Sequence, residues 1–165
     1  MIRTNKISFS YTEYEKIEEL DSDVLELVTA ARESALHAYA PYSKFKVGAA
    51  VRLENGRIVC GANVENAAFP SGICAERSAL FNSITNYQDE KPVAIAIAAM
   101  TDEGLTEDYP SPCGSCRQVI AEEESRTGNH IRIILSGKHK TRIIESIVDL
   151  LPLQFNRKNL NINLP

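Results

Sequence analysis

The residues of this chain best able to do chemistry together are three cysteines and a glutamate. Cys74 and Glu76 fall in Cys74-Ala75-Glu76-Arg77, and Cys113 and Cys116 in Pro112-Cys113-Gly114-Ser115-Cys116, about forty residues later. Three converging thiolates suit a tetrahedral zinc ion with one corner left open, whereas a structural site closes all four. Water at an open corner has its pKa lowered to about 7. Glu76, two residues from a ligand, is placed to take the proton. The spacing therefore reads as metal-assisted hydrolysis. A Cys-x-x-Cys pair alone also fits redox or closed structural sites, and Cys60 could supply a fourth ligand. A closed site leaves the Cys-x-Glu pairing without a purpose. Cys60 ends a strand pattern, Arg57-Ile58-Val59-Cys60, and is expected to pack as a small hydrophobe.

The elements that must position these groups are helices. Residues 74–86 and 113–124 both read as helical, introduced by Pro70-Ser71-Gly72 and by Ser111-Pro112. Partial positive charge at a helix N-terminus favours thiolate over thiol. Three thiolates around a divalent ion still leave one net negative charge, and Arg77 is placed to restrain it. The whole pattern fits the three-cysteine form of the zinc-deaminase signature, in which a glutamate that is not a ligand shuttles protons.

At 165 residues and 44% hydrophobic content the chain reads as one globular domain. No apolar run approaches a membrane span and no signal-peptide block opens the chain, so a cytoplasmic protein is expected. Three of the four cysteines fall in ligand motifs, which argues for metal and a reducing compartment over disulfides. Net charge is −4, with seven acids against Lys16 in residues 11–27. A polynucleotide ligand needs a basic track. The short cluster Lys138, His139, Lys140, Arg142 reads as a solvated turn, so a small neutral substrate is expected, with no nucleic-acid or membrane partner.

Along the chain, Ile7, Phe9 and Tyr11 alternate as a weak strand. Val24, Leu27, Val28, Ala31, Ala35 and Ala38 recur at helical spacing over 22–38. Residues 44–53 and 57–63 flank Asn55-Gly56, a strong hairpin signal. The unbroken apolar run 93–100 predicts a central strand covered on both faces. Residues 130–135 predict another strand, 141–145 a short edge strand, and 147–150 a brief helix. The expected fold is α/β: a three-layer α/β/α sandwich on a mixed five-stranded sheet.

With the motifs placed, the chain resembles the small, homotetrameric cytidine deaminases from about residue 24 to Phe155. The carriers are residues 39–50 (YAPYSKFKVGAA), Asn63-Val64-Glu65-Asn66-Ala67, Cys74-Ala75-Glu76-Arg77, Pro112-Cys113-Gly114-Ser115-Cys116-Arg117-Gln118 and Leu150-Leu151-Pro152. Related dimeric enzymes have histidine where this chain has Cys74, which favours the tetrameric group.

The resemblance implies hydrolysis of cytidine and deoxycytidine to the uridines with release of ammonia, as in pyrimidine salvage. It implies one zinc per subunit on Cys74, Cys113 and Cys116, with Glu76 catalytic and Arg77 hydrogen-bonded to cysteine sulfur. Phe45 would lie against the nucleoside, and Asn63 and Glu65 would hold the ribose hydroxyls. The Ala75 N–H would meet the base carbonyl and the Ser111 carbonyl the amino group. Phe155 would reach into a neighbouring subunit's site. From the residues alone, Asn63 and Glu65 could equally satisfy turn backbone, and Phe45 and Phe155 could be core. The alternatives are deamination of another cytosine nucleoside, or a non-catalytic zinc-stabilised module. Residues 1–20 read as an extension of unknown role, 21–155 as the deaminase domain and 156–165 as a tail.

Overall fold

A computed structural model describes residues 2–160. The first helix, α1 (Ser22–Ala35), forms because Val24, Leu27, Val28, Ala31 and Ala35 stack on one face, and all are buried. It stops three residues short of the expected end, and Leu36, His37 and Ala38 continue as single turns donating to Glu33, Ser34 and Ala35. Strands β2 (Lys46–Leu53) and β3 (Ile58–Ala62) form the expected antiparallel hairpin. Gly56 sits at φ +86°, a left-handed conformation that glycine adopts without steric cost. Helix α2 (Ala75–Asn86) leads to β4 (Pro92–Thr101), helix α3 (Gly114–Thr127) to β6 (Arg132–Ser136), and β7 (Thr141–Ile144) follows.

Among the described residues the sheet has seven strands, not five, because two very short ones join it. One is β1 (Thr12–Tyr14), which pairs antiparallel with β7, so β7 is not an edge. The expected alternation at Ile7, Phe9 and Tyr11 forms no strand; all three are exposed. The other is β5 (Gly104–Leu105), a two-residue return onto β4 within the loop after it. The order is β1-β7-β6-β4-β2-β3, with β4 central between antiparallel β2 and parallel β6.

The helices divide between the faces as an α/β/α sandwich requires. Ala50, Ala94, Ala96, Ala98 and Ile134 pack with α1. Val51, Ile95, Ile97, Ile133 and Leu135, of opposite strand parity, pack with α2 and α3. Both faces demand close approach. A Cβ on Gly48 would collide with the α1 backbone at Ala31 and Ala35, and one on Gly61 with the α2 backbone at Ala79. From the end of β1 onward the chain also reaches the core: Leu20 is buried, and Tyr14 and Ile17 pack beside it on the α1 face.

Candidate active site

Two helix starts meet beside the C-terminal end of β4. Cys74 is the residue capping α2 and Cys113 the residue capping α3, both in extended backbone. The Cys74 and Cys113 sulfurs turn toward each other from these two caps, Cys113 also resting on the Cys116 backbone N–H. Cys116 follows Cys113 by three residues, one turn on along the same helix face. Cys74 Sγ lies 3.8 Å from Cys113 Sγ, which lies 3.4 Å from Cys116 Sγ. All three are within 4.8 Å of one another, and theirs is the one such metal-capable cluster among the described residues. Two sulfurs held about 2.3 Å from zinc at a tetrahedral angle lie roughly 3.8 Å apart. The cluster therefore fits zinc in both donor type and spacing.

The electrostatics agree. Burial pushes the Cys74 and Cys116 thiols above their usual range. Cys113, also partly desolvated, is nevertheless held below it by the Cys116 backbone N–H and the neighbouring thiols. A buried thiol pushed upward gives up its proton when a cation replaces it. Arg77 Nη2 lies 3.8 Å from Cys74 Sγ, and its buried Nε has no protein partner, so its charge faces the sulfurs. Glu76, in the first turn of α2, is only 5% exposed, and burial raises its pKa above the usual carboxylate range.

A cavity of about 550 Å³ opens onto this cluster. Its lining includes Cys74, Glu76, Arg77 and Cys113 together with Phe45, Asn63, Glu65, Ala75 and Ser111. Of the site residues expected from sequence, the buried Cys116 and Phe155 alone lie outside that lining. Asn63 and Glu65 also do structural duty. Asn63 Oδ1 accepts from Val47 N at 2.7 Å and its Nδ2 donates to the Phe45 carbonyl at 3.1 Å. Glu65 accepts from the backbone N–H of Tyr42 and from both the N–H and hydroxyl of Ser43. The Ser43 hydroxyl, then the Tyr42 N–H, hold its carboxyl below the usual range. Both side chains thus fix the 42–47 segment while facing the cavity.

Phe155 is 59% exposed and contributes to a second cavity, beside Gln118, Val119 and Glu122 on α3. Its carbonyl accepts from Gln118 Nε2 at 2.8 Å, so the backbone is anchored while the ring is not used by its own site. Cys60 is exposed on β3, with the strand parity of Ile58, so it lies on the α1 face and is not part of the sulfur cluster. Arg117 is a structural residue of this region that the sequence reading did not single out. It ties the Pro112 carbonyl (2.9 Å) to the Leu150 carbonyl (2.8 Å), bracing the start of α3; its place right after Cys116 was the available signal.

The cytidine and deoxycytidylate deaminase zinc-binding region matches residues 21–128. A cytidine deaminase of Sporosarcina psychrophila is 45% identical over 139 residues, 84% of this chain and 96% of the relative. One of Halalkalibacterium halodurans is 43% identical over 96 residues, 58% of this chain and 68% of the relative. The crystal structure of a cytidine deaminase from Burkholderia pseudomallei superposes with a TM-score of 0.67 at 37% identity, covering 79% of this chain and 97% of that one. The matched region contains all three clustered sulfurs and the buried glutamate, and this chain belongs to the zinc-binding cytidine deaminase family.

Proposed function

We propose that this enzyme hydrolyses the C4–amine bond of cytidine and deoxycytidine, giving the corresponding uridines and ammonia. The observation that carries the reading is Glu76: a carboxyl buried beside three converged thiols, at the wall of a cavity of nucleoside size. Zinc held by Cys74, Cys113 and Cys116 would supply a water acidified to about pKa 7. Glu76 takes one proton from that water and gives it to N3 as the oxygen bonds to C4, then takes the second from the new C4 hydroxyl and gives it to the amine as the C4–N bond breaks, leaving the carbonyl and ammonia. Its raised pKa suits a group that must both accept and donate near neutrality. Arg77 moderates the negative charge of the sulfurs.

The remaining lining orients the substrate. The Ala75 N–H, the first of α2, has no intrahelical acceptor and is assigned to the base carbonyl. The Ser111 carbonyl is assigned to the amino group, Phe45 to the face of the pyrimidine, and Asn63 and Glu65 to the ribose hydroxyls. Among the described residues Arg77 is the one cation lining the cavity, and it is turned to Cys74. A 5′-phosphate would have no cationic partner there, which favours the nucleoside over the nucleotide. The exposed Phe155 ring fits a homotetramer in which each site is completed by a neighbour, in an enzyme of cytoplasmic pyrimidine salvage. Ultraviolet assay of cytidine, deoxycytidine, cytosine and CMP tests the reading. Turnover confined to the two nucleosides is expected; CMP turned over as fast as cytidine would refute it.

A further inference from the structure

The segment ahead of Ser111 is held from the far end of the sheet. The Tyr109 hydroxyl donates to Glu13 Oε2 on β1 at 2.7 Å. The same oxygen accepts from Arg142 on β7, from Nη2 at 2.7 Å and Nε at 3.2 Å. Glu13 and Arg142 stand directly opposite in the β1–β7 register, so their side chains share a face. The Arg142 guanidinium carbon also lies 4.3 Å from the Tyr109 ring centroid and 3.9 Å from that of Tyr11. The Tyr109 ring packs on the core of the α2 and α3 face. Between Tyr109 and the ligand Cys113 the chain reads Pro110-Ser111-Pro112. Two prolines fix φ, and each biases the residue before it to extended backbone, so the segment is a stiff strut. A displacement at Tyr109 is passed along such a strut to Pro110 and Ser111, which line the cavity.

We infer that Glu13, Arg142 and Tyr109 form a brace through which the N-terminal strand sets the Ser111 wall of the nucleoside cavity, with Tyr109 as a positioning residue for the pyrimidine's amino edge. This rests on the assignment of the Ser111 carbonyl to that edge. Glu13 and Arg142 lie outside the matched family region of 21–128. A cluster that merely fastened β1 to β7 would affect stability and leave ligand selectivity alone.

The test uses Tyr109→Phe, which keeps the ring on the core and removes the hydroxyl, and Glu13→Gln, which removes the charge facing Arg142. Both are placed in a Glu76→Gln background, where cytidine is not consumed, and binding of cytidine and of uridine is measured by calorimetry. Each is expected to weaken cytidine by about three- to tenfold, the loss of part of one neutral hydrogen bond from the amino group to the Ser111 carbonyl. Uridine, which lacks the 4-amino group, should change less than about twofold, and the double variant should be no weaker than the poorer single one, because the two act through one contact. In active protein the KM for cytidine should rise by the same factor with zinc content unchanged. Unaltered binding of both nucleosides, or equal weakening of both, overturns the brace. Continued turnover by Glu76→Gln would instead overturn the catalytic reading beneath it.

Discussion

Gly61→Ala should reach the chemistry through packing alone. The added methyl would sit 2.8 Å from Ala79 Cα and closer still to Ala79 N, where ordinary contact begins at 3.4 Å. Both atoms are helix backbone and cannot swing away, so α2 must retreat by at least about half an ångström. Overpacking of this kind costs about 1–3 kcal/mol, and the stiffer unfolded chain offsets about 0.4–1 kcal/mol of it. A net loss of about 1–2 kcal/mol lowers Tm by about 2–8 °C in a domain of this size. Ala79 is one turn from Glu76, so the carboxylate moves with it. Misplacement of 1 Å can cost about a hundredfold, and half of that displacement about tenfold in kcat. Gly48→Ala supplies the control, since its methyl meets α1 at 2.9 Å from Ala35 Cα on the opposite face. It should lose similar stability with kcat changed by less than about threefold. Calorimetry and a nucleoside assay on both variants decide the matter, and equal kcat losses, or none for Gly61→Ala, would refute the argument.

Three further outcomes are expected. Glu76→Gln should retain one zinc per chain by elemental analysis and lose about 10²–10⁴-fold in kcat, because the amide cannot accept the proton. Cys60→Ser should leave zinc content unchanged while Cys116→Ser abolishes it, since Cys60 faces α1 across the sheet. Glu13, whose carboxyl is held low by Arg142 and then by Tyr109, adds stability above the unfolded carboxylate pKa of about 4.3, lost as pH falls through its lower folded value. Glu13→Gln should therefore lower Tm at neutral pH and flatten its decline between about pH 5 and pH 3, as followed by circular dichroism.

The sulfur cluster and the glutamate beside it were legible because their geometry is local. Cys74 and Glu76 need only a helix start between them, and Cys113 and Cys116 one turn of another. The hairpin was legible for the same reason, Asn55-Gly56 carrying its own conformational demand. The missed strands are the opposite case. Thr12–Tyr14 has three residues and no apolar alternation, and its partner β7 is about 130 residues away. Gly104–Leu105 is defined only by what β4 offers it. For Glu65 the sequence allowed a backbone-satisfying role, but a carboxylate in Asn-Val-Glu-Asn does not announce that the backbone folded against it is the distant 42–43 segment.

The two halves of the sulfur cluster stand 39 residues apart and are brought together only across β4. On a ribosome adding about 5–20 residues per second, Cys74 precedes its partners by roughly 2–8 s. During that interval the hairpin and α2 exist as sequence without the β4–β6 pairing that aims α3 at them. A lone thiol is a poor zinc ligand set, so metal capture waits at least for Cys113 and Cys116 to be made. Chains arrested before Cys113 are expected to bind no zinc. The order of synthesis thus acts as a filter, giving a nascent chain its metal only once the pocket walls around it have been made.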